Sequence, residues 1–370
     1  MNKGKLDLFA FCFCILCSCQ KAEEINSIAV LDLPSTPYTY VSESLNNNIP
    51  TLGRVLFYDS RLSVNNSISC SSCHKQALAF ADNVPLSQGF EGKLTFRNSM
   101  PIQNLTSAFE IFPPLDSTNV PFVPTDTLSL FWDGREKMLK AMVLRPITNH
   151  VEMGITDLDA LAAKLSGIPD YQDLFTKAYG NPEVTQFKIA DALSQFLQSI
   201  IARSGDSPLN ALQQAGHDLF FGKYDCNSCH QTQALNGYQL GGSSDPADRD
   251  SRGFINIGLD KTYKDIGFAD VSGKASDIGK FKIPTLHNIA LTAPYMHDGR
   301  FTTLDDVLNH YSEGIQDHPN LDSRLRDINN QPRQLNISYH DKQAIIAFLN
   351  TLTDYKMITD PKFSNPFRAK

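Results

Sequence analysis

Basic runs, long apolar runs and spare cysteines are missing from this 370-residue chain, and there is only one tryptophan. Each absence excludes something. The net charge is −7, from 33 Lys and Arg against 40 Asp and Glu. Without a basic stretch, such a chain is a poor partner for nucleic acid. No apolar run reaches the roughly 18 residues of a membrane-spanning helix. Alternating strand patterns are scarce, so a sheet-dominated fold is not expected. Of the eight cysteines, Cys12, Cys14, Cys17 and Cys19 lie in the first 19 residues. Cys70, Cys73, Cys226 and Cys229 form two C-x-x-C pairs, and none is left for a structural disulfide.

What remains is an ordinary globular balance, 41% hydrophobic and 20% charged, with material for about two domains. The N-terminus is an address. Lys3 and Lys5 precede an apolar stretch from Leu8 to Leu16, followed by Leu16-Cys17-Ser18-Cys19. A basic start, a short apolar run and small residues at its end mark residues 1–18 as a secretory signal. The ending resembles a bacterial lipoprotein box with Cys19 as the lipidated residue. Acyl chains there would hold the exported protein to a membrane surface without spanning it. Residues 19–50, rich in Ser, Thr, Asn and Pro, read as a tether and lead-in segment.

Cys70-Ser71-Ser72-Cys73-His74 and Cys226-Asn227-Ser228-Cys229-His230 are both C-x-x-C-H, the pattern of covalent c-type haem attachment. Two thiols at this spacing reach the two vinyl groups on one porphyrin edge, and the adjacent histidine then lies under the ring as an iron ligand. A zinc pair or a redox dithiol are the alternatives. Two such motifs in an exported chain favour haem. Their surroundings repeat: Gly53-Arg54-Val55-Leu56-Phe57 and Gly216-His217-Asp218-Leu219-Phe220 both read G-x-x-L-F. This predicts a duplicated haem domain, with an N-terminal unit over 51–205 and a C-terminal unit over 206–370. The break falls at Ser204 to Pro208. Helices are predicted after a capping box at Thr156–Asp159, over 184–203, from Thr303 to Gly314, and over about Asp341 to Leu352. Residues 239–253 read as a surface loop. The fold expected is mostly α: two cytochrome c-like haem domains with long loops and little β.

Several further segments resemble the bacterial di-haem cytochrome c peroxidases and their MauG-like relatives. They are Arg97-Asn98, Phe131-Trp132-Asp133-Gly134-Arg135, Pro146 to Gly154, Ile283-Pro284-Thr285-Leu286, and Thr292 to Arg300. The likeness runs from about Leu52 to Leu352. It implies that His74 and His230 are proximal ligands, that the N-terminal haem meets peroxide, and that the C-terminal haem takes electrons from a donor. Glu152 matches the family's distal acid, Pro146 a residue packed over the same haem face, and Trp132 a tryptophan carrying electrons or holes between haems. A calcium ion held by Asn98, Thr292 and Pro294 is also implied.

Four departures from the typical members are informative. The distal histidine of typical members falls here on Phe90, which cannot ligate iron, so the first haem is expected to be open even when fully oxidised. Where the family has a pocket glutamine, this chain has Met142. The methionine that usually ligates the second haem falls on Tyr311, as in MauG-like proteins. Leu304, Val307, Leu308 and Tyr311 also share one helical stripe. Met296 and His310 compete for that ligand position. His287 stands where relatives often have an arginine near a haem propionate. The resemblance thus implies a periplasmic enzyme reducing hydrogen peroxide with electrons from a cytochrome c or cupredoxin, and a homodimer, as relatives often are. A MauG-like oxidase acting on a protein substrate and a non-enzymatic electron-transfer cytochrome are the alternatives.

Overall fold

Two helix crossings organise the chain, and a glycine makes each of them close. In the computed structural model, residues 48–105, 129–203, 208–230 and 253–367 are described. The signal segment with Cys19, the tether up to 47, the break at 204–207 and nearly all of the 239–253 loop lie outside the described residues.

The first helix, Asn48–Tyr58, crosses Gln186–Ser199. A Cβ on Gly53 would sit 1.9 Å from the Ala192 carbonyl oxygen. The crossing in the second half is between Ala211–Asp218 and Tyr339–Asn350, where a Cβ on Gly216 would sit 1.9 Å from the Ala344 carbonyl oxygen. The glycine of each G-x-x-L-F therefore marks the point where the helix leading into a C-x-x-C-H motif meets a later helix backbone to backbone. The residues that follow anchor the two cores: Leu56 and Phe57 are fully buried, as is Phe220.

Local chemistry sets the helix ends. Thr185 caps Gln186–Ser199 by accepting from Lys188 N–H, and Asn210 and Gln213 form a capping box on Ala211–Asp218. The Leu158–Ser166 helix is capped by Asp157, whose carboxylate accepts from the Asp159 and Ala160 N–H groups. The sequence pattern placed that cap one residue earlier, at Thr156. Thr303 and Asp306 do form a capping box, on the Leu304–Asn309 helix. That helix then loosens into a π-helical turn, His310–Gly314.

Among the described residues, strand is confined to the antiparallel pair Phe254–Ile255 and Phe281–Lys282. A mostly helical fold with little strand is what the sequence predicts. Apolar side chains gather in separate clusters. One, containing Phe57, Phe80 and Phe196, lies around the first crossing, and a second, containing Phe220 and Phe348, lies around the other. A small third one joins Trp132 to Leu259, Tyr263 and Phe281. The chain after Leu352, grouped with the C-terminal unit on sequence grounds, returns to the first cluster. Met357 and Phe363 pack there, and Arg54 and Tyr58 donate to the Ser364 and Phe363 carbonyls, each at 2.6 Å.

Candidate functional site

Cys70–Cys73 is a single helical turn, closed by His74 N–H donating to the Cys70 carbonyl at 2.9 Å. The chain then turns sharply through Ala79 and Phe80, both at positive φ, 52° and 60°. Two consecutive non-glycine residues in the left-handed region are costly and persist only under strong constraint. Here the turn brings the Phe80 carbonyl to 2.8 Å from His74 Nδ1. With Nδ1 donating to that oxygen, Nε2 is left as a metal ligand. Burial pushes the His74 pKa down, keeping the ring neutral. The Phe80 ring is wedged between Phe57 and Phe363, so the returning C-terminal stretch braces this turn.

Burial also pushes the Cys70 and Cys73 thiols up, to about 12 and about 11. A redox dithiol needs the opposite shift. The zinc reading fails as well. The two cysteine pairs line different cavities, and no cluster of three His, Cys, Asp or Glu suited to a metal ion occurs among the described residues.

The first cavity, about 650 Å³, is lined by Cys70, Cys73 and His74 together with Trp132, Met142, Pro146 and Glu152. Glu152 is held by its backbone. Asn149 Oδ1 accepts from the Val151 and Glu152 N–H groups, and Phe90 N–H donates to the Glu152 carbonyl at 3.0 Å. Burial raises the pKa of its carboxyl, and Arg135 opposes the shift. Arg135 also lines the cavity, paired with Asp133 at 3.0 Å and stacked over Phe131 at 3.8 Å. The Phe90 ring lies against Gly154 and is not part of the cavity wall, so position 90 sends no side chain into this cavity. Met142 is buried and lines the cavity. It offers no hydrogen-bond donor there.

The second cavity, about 210 Å³, holds Cys226, Cys229 and His230. His230 is half-buried, desolvation pushes its pKa down to about 4, and its Nδ1 has no partner with hydrogen-bond geometry among the described residues. The whole predicted stripe of Leu304, Val307, Leu308 and Tyr311 lines this cavity. Tyr311 is half-buried and the pKa of its phenol is raised, first by desolvation and then by the two cysteines it faces. His310 points away: its Nε2 is 2.9 Å from the Ile257 carbonyl. Met296 remains in the wall beside Tyr311.

Six residues line both cavities: Asn98, Pro101, Trp132, Lys282, Pro284 and Thr285. Trp132 is fixed at two points. Its indole N–H donates to the Asn98 carbonyl at 2.9 Å, and its own carbonyl accepts from Lys282 N–H at 2.8 Å. Next to it, Asp133 accepts from Arg97 at 2.5 Å, and Arg97 grips Asp265 with two 2.7 Å bonds. This buried bidentate pair locks the tryptophan segment to the second half of the chain. The Asn98 amide N donates to the Val84 and Pro85 carbonyls, which turns its oxygen the other way. Thr292 and Pro294 stand in the second cavity wall. His287 is in neither wall; its carbonyl accepts from Gln103 at 2.7 Å. Lys282 is the residue that sequence reasoning missed. Its signal was a lysine inside the apolar run Phe281-Lys282-Ile283-Pro284.

The donor set fits haem. Each cavity pairs two half-buried thiols, their pKa values raised, with one half-buried histidine whose pKa is lowered, and apolar side chains close around them. Fold and cavities together define a mostly helical protein built for two covalently attached haems. A family model described as di-haem cytochrome c peroxidase matches residues 48–218. Cytochrome c551 peroxidase of Nitrosomonas europaea is 32% identical over 342 residues, covering 86% of this chain and 85% of that protein. Methylamine utilization protein MauG of Methylorubrum extorquens is 30% identical over 316 residues, 81% and 77% of the two chains. The crystal structure of a MauG-like protein associated with microbial copper homeostasis matches at TM-score 0.71 and 31% identity, covering 91% of this chain and 99% of that one. The chain belongs to the di-haem cytochrome c peroxidase family, whose members are oxidoreductases carrying two c-type haems.

Proposed function

We propose that the chain reduces hydrogen peroxide to water at the His74 cavity, with electrons from a small cytochrome c or cupredoxin entering at the His230 cavity. One observation carries this reading. A half-buried carboxyl with a raised pKa, Glu152, shares the His74 cavity while position 90 sends no side chain into it. Haem held by Cys70, Cys73 and His74 would supply the redox-active iron at which peroxide is reduced.

The rest is the work of the chain. Glu152 accepts the peroxide proton at its carboxylate and returns it to the distal oxygen, the role of a positioned general acid–base. Pro146 shapes the cavity wall, and Met142 leaves hydrogen bonding at that wall to Glu152. Trp132, clamped between the cavities, carries the electrons that peroxide consumes. Asn98, with the Thr292 and Pro294 carbonyls, offers oxygen donors suited to calcium. Export to the periplasm, a lipid on Cys19 and a homodimer complete the proposal, which rests there on the sequence.

Adding peroxide to the fully oxidised, haem-loaded protein tests the reading. We expect an immediate change in the optical spectrum. If the spectrum changes only after one electron is supplied, another group blocks the iron and the open-site reading is wrong.

A second reading, a MauG-like oxidase drawing electrons from a protein substrate along the same Trp132 route, is favoured by Phe90 and Tyr311. The Tyr311 assignment has its own test. An anionic oxygen ligand stabilises ferric iron more than a thioether does, so Tyr311→Met should raise the potential of the second haem. The rise expected in a potentiometric titration is at least about 59 mV, a tenfold change for one electron. No change would reassign the ligand to Met296.

A further inference from the structure

Of the six residues common to both cavity walls, only Lys282 carries a charge. It is the second residue of the Phe281–Lys282 strand, and successive strand residues point to opposite faces. Phe281 lines the second cavity alone and stacks on His297 at 3.7 Å, whereas Lys282 reaches both. Its backbone is tied to the Trp132 carbonyl at 2.8 Å, so the ammonium and the tryptophan share one junction. Burial lowers the pKa of the ammonium to about 8. A positive charge standing in the walls of both cavities attracts anions bound in either of them.

A c-type haem brings such anions. Its vinyl edge is bonded to the cysteines, and its two propionate carboxylates lie on the edge away from them. Each cavity contains both a cysteine pair and Lys282. A further donor in the second cavity is His297, which is buried with its Nδ1 unpartnered. Building on the di-haem reading above, we propose that Lys282 is a cation shared by the two haems. It pairs with a propionate of each and thereby sets both reduction potentials together. A positive charge at that point favours the reduced iron, which carries one less positive charge.

The test uses the full-length, haem-loaded protein and its Lys282→Gln and Lys282→Arg variants. Haem content is measured first. Spectroelectrochemical titration then resolves the two potentials. Loss of the charge in Lys282→Gln should shift both reduction equilibria about tenfold towards the oxidised state, 59 mV for one electron. Lys282→Arg, which keeps the charge, should hold both close to the wild type. If Lys282→Gln binds two haems and moves one potential or neither, the shared-cation proposal is overturned. Should the Gln variant fail to load haem, the Arg variant decides. Altered propionate-bending bands of both haems in its resonance Raman spectrum support the proposal, and unaltered bands overturn it. A wild-type chain holding fewer than two haems overturns the di-haem reading itself and with it this one.

Discussion

Replacing Glu152 with glutamine should lower kcat/KM for peroxide by roughly 10²- to 10⁴-fold, the usual contribution of a general acid–base. Glutamine keeps the size and polarity of the side chain and removes only its proton chemistry. Two further signs separate this from mere disruption. The first is the pH profile. Glu152 must be ionised to take the peroxide proton, and burial raises its pKa. Activity should therefore fall as pH drops through a value above the ordinary glutamate range, and this acid limb should disappear in Glu152→Gln. The second sign is stability. A carboxyl whose folded pKa lies above its unfolded one stabilises the protein at low pH and loses that contribution as pH rises through the folded value. Above that folded value the desolvated carboxylate is a burden, so there Glu152→Gln should unfold no earlier than the wild type. A variant with undiminished peroxide turnover would remove Glu152 from the mechanism.

The two glycine crossings predict an effect of similar size on stability. Alanine is favoured over glycine inside a helix by about 1 kcal/mol, so propensity alone would make Gly53→Ala and Gly216→Ala stabilising. Packing reverses the sign. The added methyl at 53 would meet backbone atoms of Ala192 at 1.9 and 2.6 Å, and the one at 216 would meet those of Ala344 at 1.9 and 2.4 Å. Backbone cannot rotate aside as a flexible side chain can, so the helices must separate along their crossing. Each variant should lose about 3 kcal/mol or more, at the upper end for overpacking. Gly222→Ala, which meets nothing within 4 Å, is the control and should stay within about 0.5 kcal/mol of the wild type. Denaturant unfolding of the haem-loaded proteins measures all three. Equal stability of Gly53→Ala and Gly222→Ala would mean that the crossing is slack.

Parts of this picture were legible in the sequence for identifiable reasons. C-x-x-C-H is a local covalent requirement, so the motif named Cys70, Cys73, His74 and their counterparts without any knowledge of packing. The stripe ending at Tyr311 follows from helical period and carried through a π-helical turn into the second cavity. The G-x-x-L-F repeat was visible as a pattern, but its meaning was not, because close approach is a property of two helices. The cap at Asp157 was missed by one residue because Thr156 and Asp157 are both capping residue types, and the turn geometry chose between them.

Two C-x-x-C-H motifs, a mostly helical chain and the family to which it belongs could all be read from local sequence. Covalent spacing and periodicity are local properties, and residues a few positions apart carry them. What stands between the two cavities depends on long-range packing. Arg97 grips Asp265 from 168 residues away, Lys282 is tied to Trp132, and Phe363 returns to brace the turn that holds His74. Each of these depends on distant segments meeting once the apolar clusters close.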